Sequence, residues 1–178
     1  MAEYAPEFVW DSCMGIRPEY ADLAARAGKY AAGRELAIKS LLGRGVNGAV
    51  FSTSAPTALK VFRYEQFYLR ELGCYKRLQE FGVEAVAGHE VPALLGEDDA
   101  LLVIEMTIVK PPYVLDFAAA YLDEPPSWPQ DVLDDWRLER MQVFSSEQWQ
   151  TVERIIKELE IAYGIYLTDV HPGNIAFG

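Results

Sequence analysis

The sequence predicts an α+β fold: a five-stranded antiparallel sheet with one helix inserted after its third strand, followed by a shortened helical region. Three observations carry this. Five short apolar stretches of strand character lie between residues 35 and 104. Between Tyr64 and Phe81 the apolar spacing changes to three- and four-residue steps, and helical spacing returns in the last third of the chain.

Residues 17–32 read as a leading helix, with Pro18 in its first turn and alanine-rich turns after it. Residues 35–42 roughly alternate and read as a strand. A glycine-rich turn follows, then two more strand-like runs, Ala49-Val50-Phe51 and Ala58-Leu59-Lys60-Val61-Phe62. Phe67, Leu69, Leu72, Tyr75 and Leu78 mark the inserted helix. Residues 91–95 and 101–104 read as the last two strands, joined by the turn Gly96-Glu97-Asp98-Asp99. Beyond Met106, residues 114–121 read as a short helix. Residues 123–130, with Pro125, Pro126 and Pro129, read as a loop, and residues 131–144 as a second helix. Ser145 stands three before Gln148, the spacing of a capping box. The helix it opens places Val152, Ile155, Ile156 and Leu159 on one face and ends at Gly164. The expected division is an N-terminal helical extension over 1–34, a sheet-bearing lobe over 35–106 and a partial helical lobe over 107–178.

Composition excludes several classes. Of 178 residues, 51% are hydrophobic and 24% charged, an ordinary globular balance. The net charge of −11, with Lys and Arg scattered, argues against nucleic acid, whose binding rests on phosphate contacts. No apolar run approaches the roughly 18–20 residues that span a bilayer, so no membrane partner is expected. The N-terminus shows no secretory pattern, and Cys13 and Cys74 have neither metal-ligand nor disulfide spacing. The expected location is cytoplasmic.

Three features carry chemistry. Gly43-Arg44-Gly45-Val46-Asn47-Gly48-Ala49-Val50 fits G-x-G-x-x-G-x-V. Glycines let a turn bring its backbone N–H groups close to phosphates. The same residues could form an ordinary hairpin turn. A dinucleotide fold would need a helix after Gly48, and a Walker-A loop would need Gly-Lys-Ser/Thr; neither occurs. Lys60 lies among apolar neighbours in a strand, where an unpartnered ammonium is costly to bury. Glu71 on the inserted helix is its candidate partner, Glu65 the competitor, and a solvated lysine the plain alternative. Finally, Asp169 and Asn174 enclose Val170-His171-Pro172-Gly173. Such a loop can aim a carboxylate at a hydroxyl and an amide oxygen at a metal ion, or merely hydrogen-bond its own backbone.

In this order the pieces resemble the protein kinase-like superfamily, over residues 35–177. The resemblance implies that Gly43, Gly45 and Gly48 cover phosphates and that Lys60, paired with Glu71, holds the α- and β-phosphates of ATP. It implies that the backbone at Ile104-Glu105-Met106 meets adenine, that Asp169 is the catalytic base, and that Asn174 binds Mg2+. The segment Asp169-Val170-His171-Pro172-Gly173-Asn174 is closer to the D-x-H-x-G-N loop of aminoglycoside and choline phosphotransferases than to the eukaryotic loop; the glycine turn is more typical of protein kinases. Leu167 and Thr168 stand where eukaryotic kinases have His and Arg, and the sequence ends four residues after Asn174, without a D-F-G or activation segment.

The expectation is therefore a truncated, pseudokinase-like protein with an ATP cleft and weak or no phosphotransferase activity. The alternatives are an active minimal kinase using another acidic group as metal ligand, and a non-enzymatic interaction module. With the helical lobe shortened, the apolar stripe of the helix over residues 146–163, with Trp149 and Ile161 nearby, is expected to meet a second copy or another protein. Cover by residues 131–144 and 17–32 is the alternative.

Overall fold

The computed structural model describes residues 20–178; the expectations for Cys13, Arg17 and Pro18 fall outside them. The chain runs α1 (Ala21–Gly33), β1 (Ile38–Arg44), β2 (Gly48–Thr53), β3 (Thr57–Phe62), α2 (Glu65–Glu80), β4 (Ala85–Val86), β5 (His89–Glu90), β6 (Leu94–Asp98) and β7 (Val103–Thr107). It continues through β8 (Tyr113–Val114), β9 (Tyr121–Leu122), α3 (Gln130–Met141), α4 (Ser146–Tyr163), β10 (Ile165–Tyr166) and β11 (Ile175–Ala176). The fold is α+β. Its principal sheet has five antiparallel strands in the order β1-β2-β3-β7-β6.

β3 sits at the centre of this sheet and is buried at every position, which is why its sequence reads as a continuous apolar run. Alternation along the strand sends Leu59 and Val61 to one face, where Leu23, Ala24, Ala27 and Ala31 of α1 cover them. Ala58 and Phe62 point to the opposite face, toward Tyr68, Leu72 and Tyr75 of α2. Lys60 shares that second face. Arg26 pins α1 to the sheet by donating to the carbonyls of Leu101 and Phe62, both at 2.9 Å. Small alanines let the helix approach closely, so the leading helix is an integral layer of the domain.

The polar run at residues 96–99 is strand through Asp98, and the turn falls at residues 99–102 instead. Polar side chains are tolerated at this sheet edge because each has a partner: Lys76 pairs with Glu97 at 2.9 Å, and Asp98 accepts from the Leu101 amide at 2.8 Å. Leu101 itself is buried beside α1, so the apolar residues that suggested a strand start there serve the core from a turn.

Residues 114–121 are not helical. They form the end of β8, a turn, and the start of β9. Asp116 has φ +65°, a left-handed conformation that a right-handed helix cannot contain. Phe117, Ala118 and Ala120 are buried nonetheless, and β8 pairs antiparallel with β11 while β9 pairs with β10. Tertiary pairing has overridden the helix propensity of the alanines.

α4 follows its sequence signals closely. Ser145 accepts from the Gln148 amide, the Gln148 side chain accepts from the Ser145 amide, and Gly164 closes the helix in the left-handed conformation. Trp149, Val152, Ile155 and Leu159 are buried in one core that runs without a break from α2 to α4. α3 has no buried residue; it is held by the Arg137–Glu153 ion pair and by Trp136, whose indole N–H donates to the Thr168 carbonyl at 2.9 Å. No helix among the described residues is long and apolar enough to cross a membrane.

Ile155 and Ile161 differ sharply in setting: Ile155 is fully buried, whereas Ile161 is 75% exposed. Ile155→Ala is expected to cost about 2–5 kcal/mol, and Ile161→Asp to stay within about 0.5 kcal/mol of wild type. Urea denaturation of both variants checks this; a large loss in Ile161→Asp would mean that another surface covers it.

Candidate functional site

The chemistry gathers on the inner face of β3. Lys60 is only 9% exposed, and its ammonium lies between two carboxylates. Glu71 Oε2 is 2.7 Å away and Oε1 2.9 Å, while Asp116 Oδ1 is at 3.0 Å. Glu71 is the partner because its position on α2 faces the sheet, among Tyr68, Leu72 and Tyr75; Glu65, at the start of the helix, is exposed. Asp116 comes from the far side of the fold, in the turn after β8. Its left-handed backbone is one that Asp tolerates better than most residues, and its carboxylate also accepts from the Ala118 amide at 3.1 Å.

The three groups have different electrostatic fates. Burial works against the Lys60 charge, but Glu71 and then Asp116 outweigh it, so its pKa rises above the ordinary lysine value. Burial dominates at Glu71, with the Asp116 charge adding to it, and lifts that carboxyl to about 7 in spite of Lys60. At Asp116 burial is overcome by the Lys60 charge, the hydrogen bonds from Lys60 and the Ala118 amide, and the nearby His171, leaving the carboxyl below its ordinary range. Two carboxylates share one ammonium: the deeper one gives up its charge more readily and the outer one keeps it.

The glycines of the turn between β1 and β2 divide by role. A Cβ on Gly48 would lie 2.1 Å from the Val61 carbonyl oxygen, so this glycine is required by strand packing. Gly43 and Gly45 have open space where a Cβ would stand. The turn is closed by the Gly45 amide donating to the Gly48 carbonyl at 2.9 Å, and the Arg63 amide holds Asn47 from β3's end at 2.8 Å. The two glycines that face open space are the ones a ligand can approach.

The 167–175 loop is tied down from several sides. Thr168 Oγ1 donates to the Ala119 carbonyl at 2.7 Å, and the Leu115 amide donates to the Asn174 carbonyl at 2.7 Å. Asn174 is buried, and its side-chain nitrogen donates to the Asp169 carbonyl at 2.9 Å, leaving Oδ1 as its acceptor. The Asp169 carboxylate is exposed; His171 Nε2 lies 3.8 Å from it. A Cβ on Gly173 would meet His171 Cε1 at 2.7 Å, a contact that the half-exposed imidazole can relieve by turning.

Glu105 and Met106 lie inside β7, flanked by β3 and β6, and their backbones pair with both strands. The Glu105 side chain points away from Lys60, to Tyr30 Oη at 3.1 Å and Arg34 at 3.3 Å on α1. Met106 Sδ accepts from Tyr75 Oη at 3.7 Å on the inner face. The chain leaves the sheet after Thr107.

Asp116 is the member of this cluster that sequence reasoning missed. Its segment, Leu115-Asp116-Phe117 followed by three alanines, reads as helix, and the signal that could have found it is the lone acid beside Phe117, a residue destined for the core. Among the described residues no three His, Cys, Asp or Glu side chains converge as a dedicated metal cage. Mg2+ does not need one, since it is commonly held by one or two carboxylates with phosphates and water.

No family model and no curated protein matches the chain. Among solved structures it is similar to the ternary complex of streptomycin, ATP and the aminoglycoside phosphotransferase APH(2'')-IIa, at 19% identity and a TM-score of 0.35. The match covers 51% of this chain and 28% of that one. A likeness this loose carries neither fold nor function across.

The raised Glu71 carboxyl predicts a pH dependence. Its folded value, about 7, lies above the ordinary 4.5, so the folded state binds the proton more tightly than the unfolded chain. That stabilisation is complete below about 4.5 and is lost as pH rises through about 7. Burial lowers His89, which acts in the opposite direction but is common to both chains in a comparison with Glu71→Gln. Thermal melts between about pH 5 and 8 should show wild type losing stability relative to Glu71→Gln as pH rises; parallel profiles would contradict the assignment.

Proposed function

We propose that this chain is a kinase-like nucleotide-binding protein, with ATP and Mg2+ bound between the sheet-bearing half (residues 35–106) and the helical half (residues 107–178). The observation that carries the proposal is the buried Lys60–Glu71 pair, on the strand that pairs with the one leading out of a glycine turn with two open positions. A lysine ammonium on an inner strand face is costly without a purpose or partner, and here its charge is maintained by neighbours rather than neutralised. That suits a point cation for phosphate oxygens.

In this reading Gly43 and Gly45 let backbone amides approach the phosphates, with Gly48 fixing the turn onto β3. Lys60 binds the α- and β-phosphates, and Glu71 orients it. Glu105 and Met106 lead into the adenine edge. Their own backbone groups are engaged with β3 and β6, so on this reading the base would be met by the segment that leaves the sheet after Thr107. The hard oxygen donors fit Mg2+: Asn174 supplies one through Oδ1, and the ion when bound neutralises charge on the β- and γ-phosphates. Asp169, exposed and facing no lysine or arginine ion pair among the described residues, is free to accept a proton from a substrate hydroxyl.

Two activity levels follow from the same cleft. Weak or absent transfer is the reading if Asn174 alone organises the ion. An active phosphotransferase is favoured by a specific observation, the second carboxylate, Asp116, within 3.0 Å of Lys60. A homodimer or partner contact through Ser146–Tyr163 is a separate proposal that rests on exposed Ile161 and half-buried Ile156.

Lys60→Met is expected to weaken ATP binding by about 1.5–3 kcal/mol, the value of one charge-assisted bond, or roughly 10–150-fold in Kd. Calorimetry checks the affinity. A wild-type melting temperature that millimolar ATP does not raise, with or without Mg2+, would remove the nucleotide reading. Phosphoryl transfer near the about 1–100 per second of intact kinases, abolished in Asp169→Asn, would select the active reading.

A further inference from the structure

We infer that Asp116 is an acidic cation ligand of this cleft, supplied from the turn after β8. The inference rests on the nucleotide reading above and deepens it.

Three observations meet at this residue. The first is placement. β11, which begins directly after Asn174, pairs antiparallel with β8, which ends two residues before Asp116. The Leu115 amide is bonded to the Asn174 carbonyl itself. The ladder therefore sets Asp116 beside the Asp169–Asn174 loop, and His171 of that loop is close enough to stabilise its charge. The second is anchoring. Phe117 is fully buried and meets Tyr75 of α2 edge-on, with ring centroids 5.3 Å apart. The same helix carries Glu71. With Phe117 locked in the core and Leu115 in the ladder, the residue between them is held in a left-handed conformation that aims its carboxylate at Lys60.

The third is charge. One ammonium faces two carboxylates, so the cluster carries an excess negative charge when both are ionised. Lys60 is held by both: Glu71, with no side-chain exposure, meets it with two oxygens, and Asp116 with one. Asp116 is the outer partner, with 32% of its side chain exposed. An extra carboxylate is the wrong charge for an incoming triphosphate, unless a divalent cation arrives with it. Then the exchange is balanced: phosphate oxygens replace Asp116 at Lys60, and Asp116 turns to the cation. In the nucleotide-free chain the Lys60–Asp116 contact holds both side chains in place for that exchange.

The test uses the 178-residue chain, with ATP titrated by calorimetry in EDTA and in Mg2+, for wild type, Asp116→Asn and Asp116→Ser. The serine variant retains an oxygen for the Ala118 amide and guards against loss of the turn. Wild type should bind ATP about tenfold or more tightly with Mg2+ than without, the size of one charged contact. In both variants that advantage should fall to about twofold or less, while ATP in EDTA binds more tightly than to wild type because Lys60 has lost a competitor. Variants that keep the full Mg2+ advantage would overturn the inference while leaving the nucleotide reading intact. Wild type that binds ATP in neither condition would overturn both. A mutation-free readout accompanies this: Mn2+ added with ATP should broaden the amide resonances of Leu115 and Phe117 before those of α1. Broadening confined to other loops would contradict the assignment.

Discussion

An ammonium taken out of water on the inner face of a sheet must be compensated, and at Lys60 the compensation comes from two distant parts of the chain. Glu71 reaches it from α2 and Asp116 from the turn after β8. Removing Lys60 would leave both carboxylates without a cation, the kind of loss that typically costs about 3–5 kcal/mol. The position of α2, the burial of β3 and the path of residues 113–117 are thereby constrained together. Phe117 and Tyr75 supply the apolar counterpart of the same tie. What gives the site its geometry is this joint between the sheet, the inserted helix and the returning strand.

The chain order around that joint is unusual for the resemblance seen in the sequence. β8 pairs with the strand that follows Asn174, and this sets the Leu-Asp-Phe segment after β8 beside the Asp169–Asn174 loop. Space, not sequence order, is what phosphoryl-transfer chemistry requires: a cation for phosphate oxygens, a carboxylate for a metal ion and a base near a hydroxyl can arrive from any element.

Legibility from sequence followed how local the physics is. The five-stranded sheet and its inserted helix were legible because burial on both faces writes continuous apolar runs, and burial on one side of a helix writes a three- to four-residue period. The caps of α4 were legible because Ser145, Gln148 and Gly164 act on their own neighbours. Lys60 and Glu71 could be matched because a lysine between apolar residues demands a partner. The turn at residues 99–102 and the non-helical path of 114–121 were not legible, since both depend on contacts remote in sequence: Leu101 with α1, and Val114 with Ile175. Asp116 was hidden for the same reason. Its significance lies entirely in what stands opposite it, and three following alanines argue locally for a helix that the ladder does not permit.

The measurement that bears most directly on this account is a crystal structure with Mn2+ and a non-hydrolysable ATP analogue, read by the anomalous signal of the metal. The account predicts a peak about 2.1 Å from an Asp116 carboxylate oxygen, phosphate oxygens on Lys60 in place of Asp116, and Glu71 still paired to Lys60. Nucleotide bound with the Lys60–Asp116 contact unbroken, and the metal on other residues, would contradict it.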